Sequence, residues 1–155
     1  MQDSTDAKHD NGRPGDASCF SDRYNMDHKD RGIAIIINNV NFHKRTQMST
    51  RSGSDVDTRN MYELLSAMGF AEIRTFRDLT VGKMKQQMNL VSREDHTNND
   101  CFVCVILSHG EEGYVYGHDD KISLDDLIRP IKGNNCKSLA GKPKIFLIQV
   151  IIDER

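Results

Sequence analysis

Apolar positions follow two rhythms along the chain. Gly32-Ile-Ala-Ile-Ile-Ile-Asn38 is an unbroken apolar run rich in β-branched side chains, which predicts a strand covered on both faces of a parallel sheet. Met61, Leu64, Leu65 and Met68 then recur at helical spacing. Ser54 with Asp57 stands before them as a capping pair, and Gly69 stands where a left-handed terminator belongs. Ile73-Arg-Thr-Phe76 alternates as a short strand. Thr80 is expected to cap a second helix whose Val81, Met84, Met88 and Val91 form one apolar stripe.

The continuous rhythm returns in Cys101-Phe-Val-Cys-Val-Ile-Leu107, a third strand ending on Ser108-His109-Gly110. Tyr114-Val-Tyr116 and Lys121-Ile122 flank a polar turn and predict a small hairpin. Ser123 and Asp126 repeat the capping pattern before a short helix that Pro130 limits. Lys142-Pro143 precedes a fourth core strand, Ile145-Phe-Leu-Ile148. The succession β-α-β-α-β-α-β predicts an α/β fold with a mostly parallel sheet.

Composition narrows the function classes. The chain has 155 residues and a net charge of −2 with both signs interspersed. That size suits one compact domain, and that charge offers no footprint for nucleic acid or an anionic membrane. Residues 1–22 carry almost no large apolar side chains, so a disordered leader is expected there. No signal peptide or membrane anchor is read in the sequence, and reduced thiols in a cytoplasmic protein are the expectation. Cys101 and Cys104 lie three apart on a strand, which turns their side chains to opposite faces and rules out a shared metal ion or a redox pair. No metal or cofactor is expected. His28, His43, His96 and His118 are expected to face solvent, as are Glu111 and Glu112.

In open α/β sheets, polar groups gather beyond the carboxyl ends of the strands. His109 occupies such a position, and a following glycine lets a backbone N–H approach a reacting oxygen. Arg51 lies in the loop after the first strand, where a guanidinium can grip a carboxylate with two parallel hydrogen bonds. Each feature alone has a bland counterpart: a structural histidine on the rim, a solvated loop arginine.

Together, Tyr24-Asn-Met-Asp27, Ile35-Ile-Ile-Asn-Asn39, Arg51-Ser-Gly-Ser-Asp-Val-Asp57, Glu94-Asp-His96, Leu107-Ser-His-Gly-Glu-Glu-Gly113 and Gly141-Lys-Pro-Lys-Ile-Phe-Leu-Ile-Gln149 resemble the large subunit of executioner caspases. The resemblance implies the three-layer caspase fold, helices on both faces of a mostly parallel sheet and here incomplete, over residues 23–149. It implies an aspartate-specific cysteine endopeptidase of apoptosis, acting on protein substrates with Asp at the cleavage position. By the same resemblance His109 is the catalytic histidine, Gly110 supplies an oxyanion N–H, and Arg51 and Gln149 line the pocket for that aspartate. The leader resembles a short prodomain, with Asp16 and Asp22 as possible processing sites.

The family signature around the nucleophile is Gln-Ala-Cys followed by Arg, Gln or Gly and then Gly. This chain reads Gln149-Val150-Ile151-Ile152-Asp153, so Ile151 stands in place of the cysteine. Residues 150–155 are therefore expected to be a divergent tail, as from a frame or splice change. With no nucleophilic atom and no small subunit, the expectation is a chain inactive alone. Its fourth strand would be an exposed edge that seeks a small subunit or another caspase chain. A non-catalytic decoy that binds caspases is the alternative. A flavodoxin-like domain would need a glycine-rich phosphate loop after the first strand, which is absent.

Overall fold

The computed structural model describes residues 23–152; the expected leader with its possible processing sites Asp16 and Asp22, and residues 153–155, lie outside them. The elements run β1 (Asp30–Asn38), α1 (Ser54–Ala67), β2 (Glu72–Arg77), α2 (Val81–Ser92), β3 (Asn99–Glu111), β4 (Tyr114–Tyr116), β5 (Lys121–Ser123), α3 (Leu124–Ile128) and β6 (Lys144–Ile151). Single 3₁₀ turns stand at Lys44–Thr46, Arg129–Ile131 and Lys137–Leu139.

Four strands pair in parallel in the order β2-β1-β3-β6. The β4–β5 hairpin continues antiparallel from the far end of β3. Because β1 leads outward to β2 while β3 leads the other way to β6, the chain reverses direction between β1 and β3. A parallel sheet opens a crevice at the carboxyl ends of such a pair. Right-handed crossovers in opposite directions also put α1 and α2 on opposite faces.

Two cores result. Ile33, Ile35, Ile37, Phe102, Cys104 and Ile106 face α2, where Met84, Met88 and Val91 are fully buried. Ala34, Ile36, Cys101, Val103, Val105 and Leu107 face α1 with Leu65 and Phe70. The two thiols of the Cys101–Cys104 pair thus lie on opposite sides of the sheet.

Several expectations need correction. Ser54 is the first residue of α1 rather than its cap. Gly53 takes the cap position in a left-handed conformation, and the Ser54 hydroxyl donates to the Arg51 carbonyl at 3.3 Å. The apolar stripe of α1 is only half used: Leu65 is buried, whereas Leu64 and Met68 are 52% and 50% exposed. The terminator holds. The Gly69 N–H donates to the Ser66 carbonyl and the Phe70 N–H to the Leu65 carbonyl, with Gly69 at φ +98°, the paired bonds of a Schellman motif.

His96 is fully buried, contrary to its expected exposure. Its Nε2 lies 2.8 Å from the Val91 carbonyl, and its ring stands edge-on to Phe102. His28 and His118 are half-buried and hydrogen-bonded to Asp100 and the Asn41 carbonyl. Only His43 of the four is exposed. Among the described residues no helix is long and apolar enough to cross a membrane.

Candidate active site

The crevice at the β1/β3 reversal holds His109 and Arg51. Strand β3 runs past its expected end at Leu107, so His109 and Gly110 belong to the strand itself and not to a loop after it. This fixes the imidazole on the α1 face with 1% exposure. Its Nε2 lies 2.8 Å from the Ser49 carbonyl, and the edge of Phe42 packs on the ring with centroids 5.0 Å apart. A carbonyl only accepts, so Nε2 carries the proton in this contact and Nδ1 keeps a basic lone pair in the neutral ring. Nδ1 has no partner.

Arg51 is not the solvated arginine that a lone loop position suggests: it is 6% exposed. Its Nη1 donates to the Asn38 Oδ1 at 3.1 Å and the Asn39 carbonyl at 2.8 Å. Burial pulls the guanidinium below its ordinary value, with the charge of Asp57 acting in the opposite sense. The group stays cationic at neutral pH. Its Nε has no partner. Arg51 Nε and His109 Nδ1 are the two buried side-chain polar atoms left unpaired among the described residues. An orphaned buried polar atom costs stability and calls for an explanation, and a bound group is one.

Pairing register carries the other two positions to the same face. Asn38, Leu107 and Gln149 form one row across β1, β3 and β6. In the next row outward on that face His109 stands directly beside Ile151. Gln149 is exposed, and Ile151 is 48% exposed. Gly110 is enforced by space: a β-carbon there would come within 2.8 Å of both the Tyr114 carbonyl oxygen and Val150 Cγ1. Glu111 and Glu112 are exposed as expected, and Glu111 pairs with Lys121.

Sequence reasoning left Asn38, Ser49 and Phe42 without a role. Asn38 was visible as a polar residue ending an apolar strand. Ser49 acts through its carbonyl, for which no side-chain signal exists.

Among the described residues no neighbouring thiol can substitute at Ile151. Burial pushes the Cys104 thiol up to about 12, and burial also raises Cys101 against the opposing charge of Arg31. Both lie inside the sheet, and the thiolate is the reactive form. Mapping thiol modification by mass spectrometry should therefore find Cys101 and Cys104 unlabelled in the native protein and labelled only after denaturation. Native labelling of either would contradict this burial.

A family model described as Caspase domain matches residues 31–151. The chain is 48% identical to Caspase-3 of Mus musculus over 126 residues, which is 81% of this chain and 45% of that protein. It is 45% identical to Caspase-3 of Bos taurus over 130 residues, covering 84% and 47%, and 44% identical to that of Felis catus over 135 residues, covering 86% and 48%. It thus spans just under half the length of these relatives. The match covers both strands of the reversal, the histidine and the start of the position occupied by Ile151, and the chain belongs to the caspase family as the large-subunit region of an executioner caspase.

Proposed function

We propose that this chain carries the substrate-recognition half of an aspartate-specific cysteine endopeptidase of apoptosis and is itself unable to cleave. The observation that carries this reading is the row formed by His109 and Ile151: an imidazole with a free lone pair faces a side chain that has no nucleophilic atom. In the family chemistry a thiolate attacks the peptide carbonyl carbon, and the imidazole hands a proton to the leaving amine. Backbone N–H groups, with Gly110 among them, hold the developing oxyanion. Here the binding elements remain. Arg51 offers an unpaired N–H and a positive charge to a substrate carboxylate, and Gln149 lines the same face. Without the thiol no acyl-enzyme forms, and nearly the whole rate advantage goes with it. The place of action is the cytoplasm, with protein substrates bearing Asp at the cleavage position and another caspase chain as assembly partner.

The purified chain, incubated with an Asp-containing tetrapeptide reporter, should give no turnover above buffer. Turnover that a thiol alkylator abolishes would overturn the inactivity. Recognition has its own readout: in NMR the Arg51 Nε–H signal should shift with the Asp tetrapeptide and not with its Asn counterpart. Equal response to both peptides, or none to either, would overturn the assignment of Arg51.

The apolar strand β6, which pairs with β3 alone among the described residues, favours a second reading, a non-catalytic decoy that binds caspases. Co-expression with an active executioner caspase should then lower that enzyme's activity through a recoverable complex. Unchanged activity with no complex would remove this reading.

A further inference from the structure

The hydrogen-bond partners of the Arg51 guanidinium, Asn38 Oδ1 and the Asn39 carbonyl, are both neutral oxygens. Asp57 acts on it through charge alone. A buried charge is ordinarily matched by an opposite one in hydrogen-bond contact. Here the match is partial, and the Nε–H has no acceptor. What surrounds the guanidinium therefore holds it without neutralising it.

Asn38 ends β1 and is buried. Its amide is used at both ends: Oδ1 accepts from Arg51 Nη1 at 3.1 Å, and Nδ2 donates to Asp55 Oδ1 at 3.2 Å. The reverse orientation would set an NH2 group against a guanidinium, which has only donors, and an oxygen against a carboxylate, which only accepts. Asp55 lies in the first turn of α1 and is held in turn by Arg77 at the end of β2, whose Nη1 donates to the two carboxylate oxygens at 3.1 and 2.9 Å. That outer pair is more than half exposed and adds little stability by itself. Its effect is to give the buried amide one orientation. The backbone of Arg51 is fixed separately, its N–H donating to the Val40 carbonyl at 2.9 Å.

We infer that Asn38 is a positioning residue for carboxylate recognition in this crevice: its amide, oriented by Asp55, holds Arg51 through a neutral acceptor and leaves the positive charge and the Nε–H for an incoming carboxylate. The inference rests on the reading of Arg51 as the aspartate-binding cation and adds the groups that prepare it. An amide at position 38 does two things that its nearest replacements do not. A carboxylate there would form an internal ion pair with the guanidinium, which a substrate carboxylate would have to displace or share. An apolar side chain would remove one of the two bonds to Nη1, leave the guanidinium freer to turn, and cost an entering ligand the ordering that the protein now supplies in advance.

NMR of the full chain labelled with nitrogen-15 at arginine reads positioning and recognition separately. In the free protein, Arg51 Nη1 should give a signal distinct from Nη2, because its two hydrogen bonds hinder rotation of the guanidinium, and Asp55→Ala should merge or broaden the two. On titration with the Asp tetrapeptide and its Asn counterpart, Asn38→Asp should weaken binding of the Asp peptide by about tenfold or more and remove its preference over the Asn peptide. That variant also sets two carboxylates side by side, so the Asn38→Asp/Asp55→Asn double variant separates the causes. In it the amide at position 55 can donate to position 38 and accept from Arg77, so thermal melting should recover while affinity for the Asp peptide stays low. Recovery of affinity together with melting would assign Asn38 a merely structural role and overturn the proposal. Averaged Nη signals in the wild-type chain, or unchanged signals in Asp55→Ala, would overturn it as well. Distinct Nη signals in a wild-type chain that responds to neither peptide would overturn the aspartate reading of Arg51 while supporting Asn38 and Asp55 as the groups that hold the guanidinium.

Discussion

Gly32→Ala should abolish the native fold. Gly32 sits at φ +136° in β1, level with Cys101 of β3, and a β-carbon there would lie 1.9 Å from the Cys101 carbonyl oxygen. That atom is backbone in the middle of a ladder and cannot swing aside as a side-chain tip can. Relief requires β1 to peel away from β3 at its start, which breaks the contact between the two strands on which both cores are built. Losses of this kind reach about 4–5 kcal/mol, against a total of roughly 5–15 kcal/mol for a domain. Urea unfolding followed by circular dichroism should show no cooperative native baseline for the variant. Gly82→Ala is the matched contrast. Gly82 lies within α2, and the nearest atom to its added β-carbon is Thr80 Oγ1 at 4.0 Å. Alanine there should stabilise by about 0.5–1 kcal/mol through the lower entropy of the unfolded chain. A Gly32→Ala protein with an unchanged midpoint would show that the β1–β3 approach is looser than described.

That same pair of strands marks what was legible beforehand. Both are continuous apolar runs, a pattern that belongs to strands buried on two faces. The methionine stripe of α2 was legible for a similar reason: every one of its positions meets a single core, so spacing maps directly onto burial. Helix α1 failed where it covers less. Leu64 and Met68 keep the spacing of core residues, but the helix lies over β1 and β2, and among the described residues no neighbour covers its outer flank. Periodicity reports which residues share a face, and the partner for that face lies elsewhere in the chain or beyond it. His96 failed for the opposite reason. A loop histidine reads as polar and exposed until tertiary packing sets Val91 and Phe102 around it.

At the candidate site, residue types were legible and their company was not. His109 and Arg51 are separated by 58 positions, and only the reversal between β1 and β3 brings their loop and strand to one crevice. Register then decides that Ile151, rather than Val150 or Ile152, stands beside the imidazole, because a shift of one residue would turn it to the opposite face. The partner atoms of the two groups are mostly backbone carbonyls, those of Ser49 and Asn39. Such partners leave no trace in side-chain chemistry, which is why a loop arginine taken alone gives no sign of its burial.

At the other end of the sheet, Asp100→Asn should cost about 2–3 kcal/mol at neutral pH, and the cost should vanish in acid. Asp100 is 3% exposed and accepts from the His28 backbone N–H at 3.0 Å, from His28 Nδ1 at 2.9 Å and from Arg31 Nη1 at 3.1 Å. These contacts tie the segment before β1 to the start of β3. Burial alone would raise the carboxyl, but the His28 hydrogen bonds and the charge of Arg31 outweigh it and hold the group below its ordinary value. An amide in its place turns a donor toward at least one of those donors, which removes a charge-assisted bond and leaves a buried N–H unpaired. The sign of the pH dependence follows from linkage. A carboxyl whose folded value is depressed stabilises fully above its unfolded value of about 3.9, and that stabilisation is lost as the pH falls through the lower folded value. Thermal unfolding of both proteins from neutral pH downward should give a constant gap in Tm until about pH 4 and a narrowing gap below it. A gap that persists unchanged into strong acid would mean that the cost comes from packing of the amide, and that the ionised contacts to His28 and Arg31 contribute nothing to holding β1 in place.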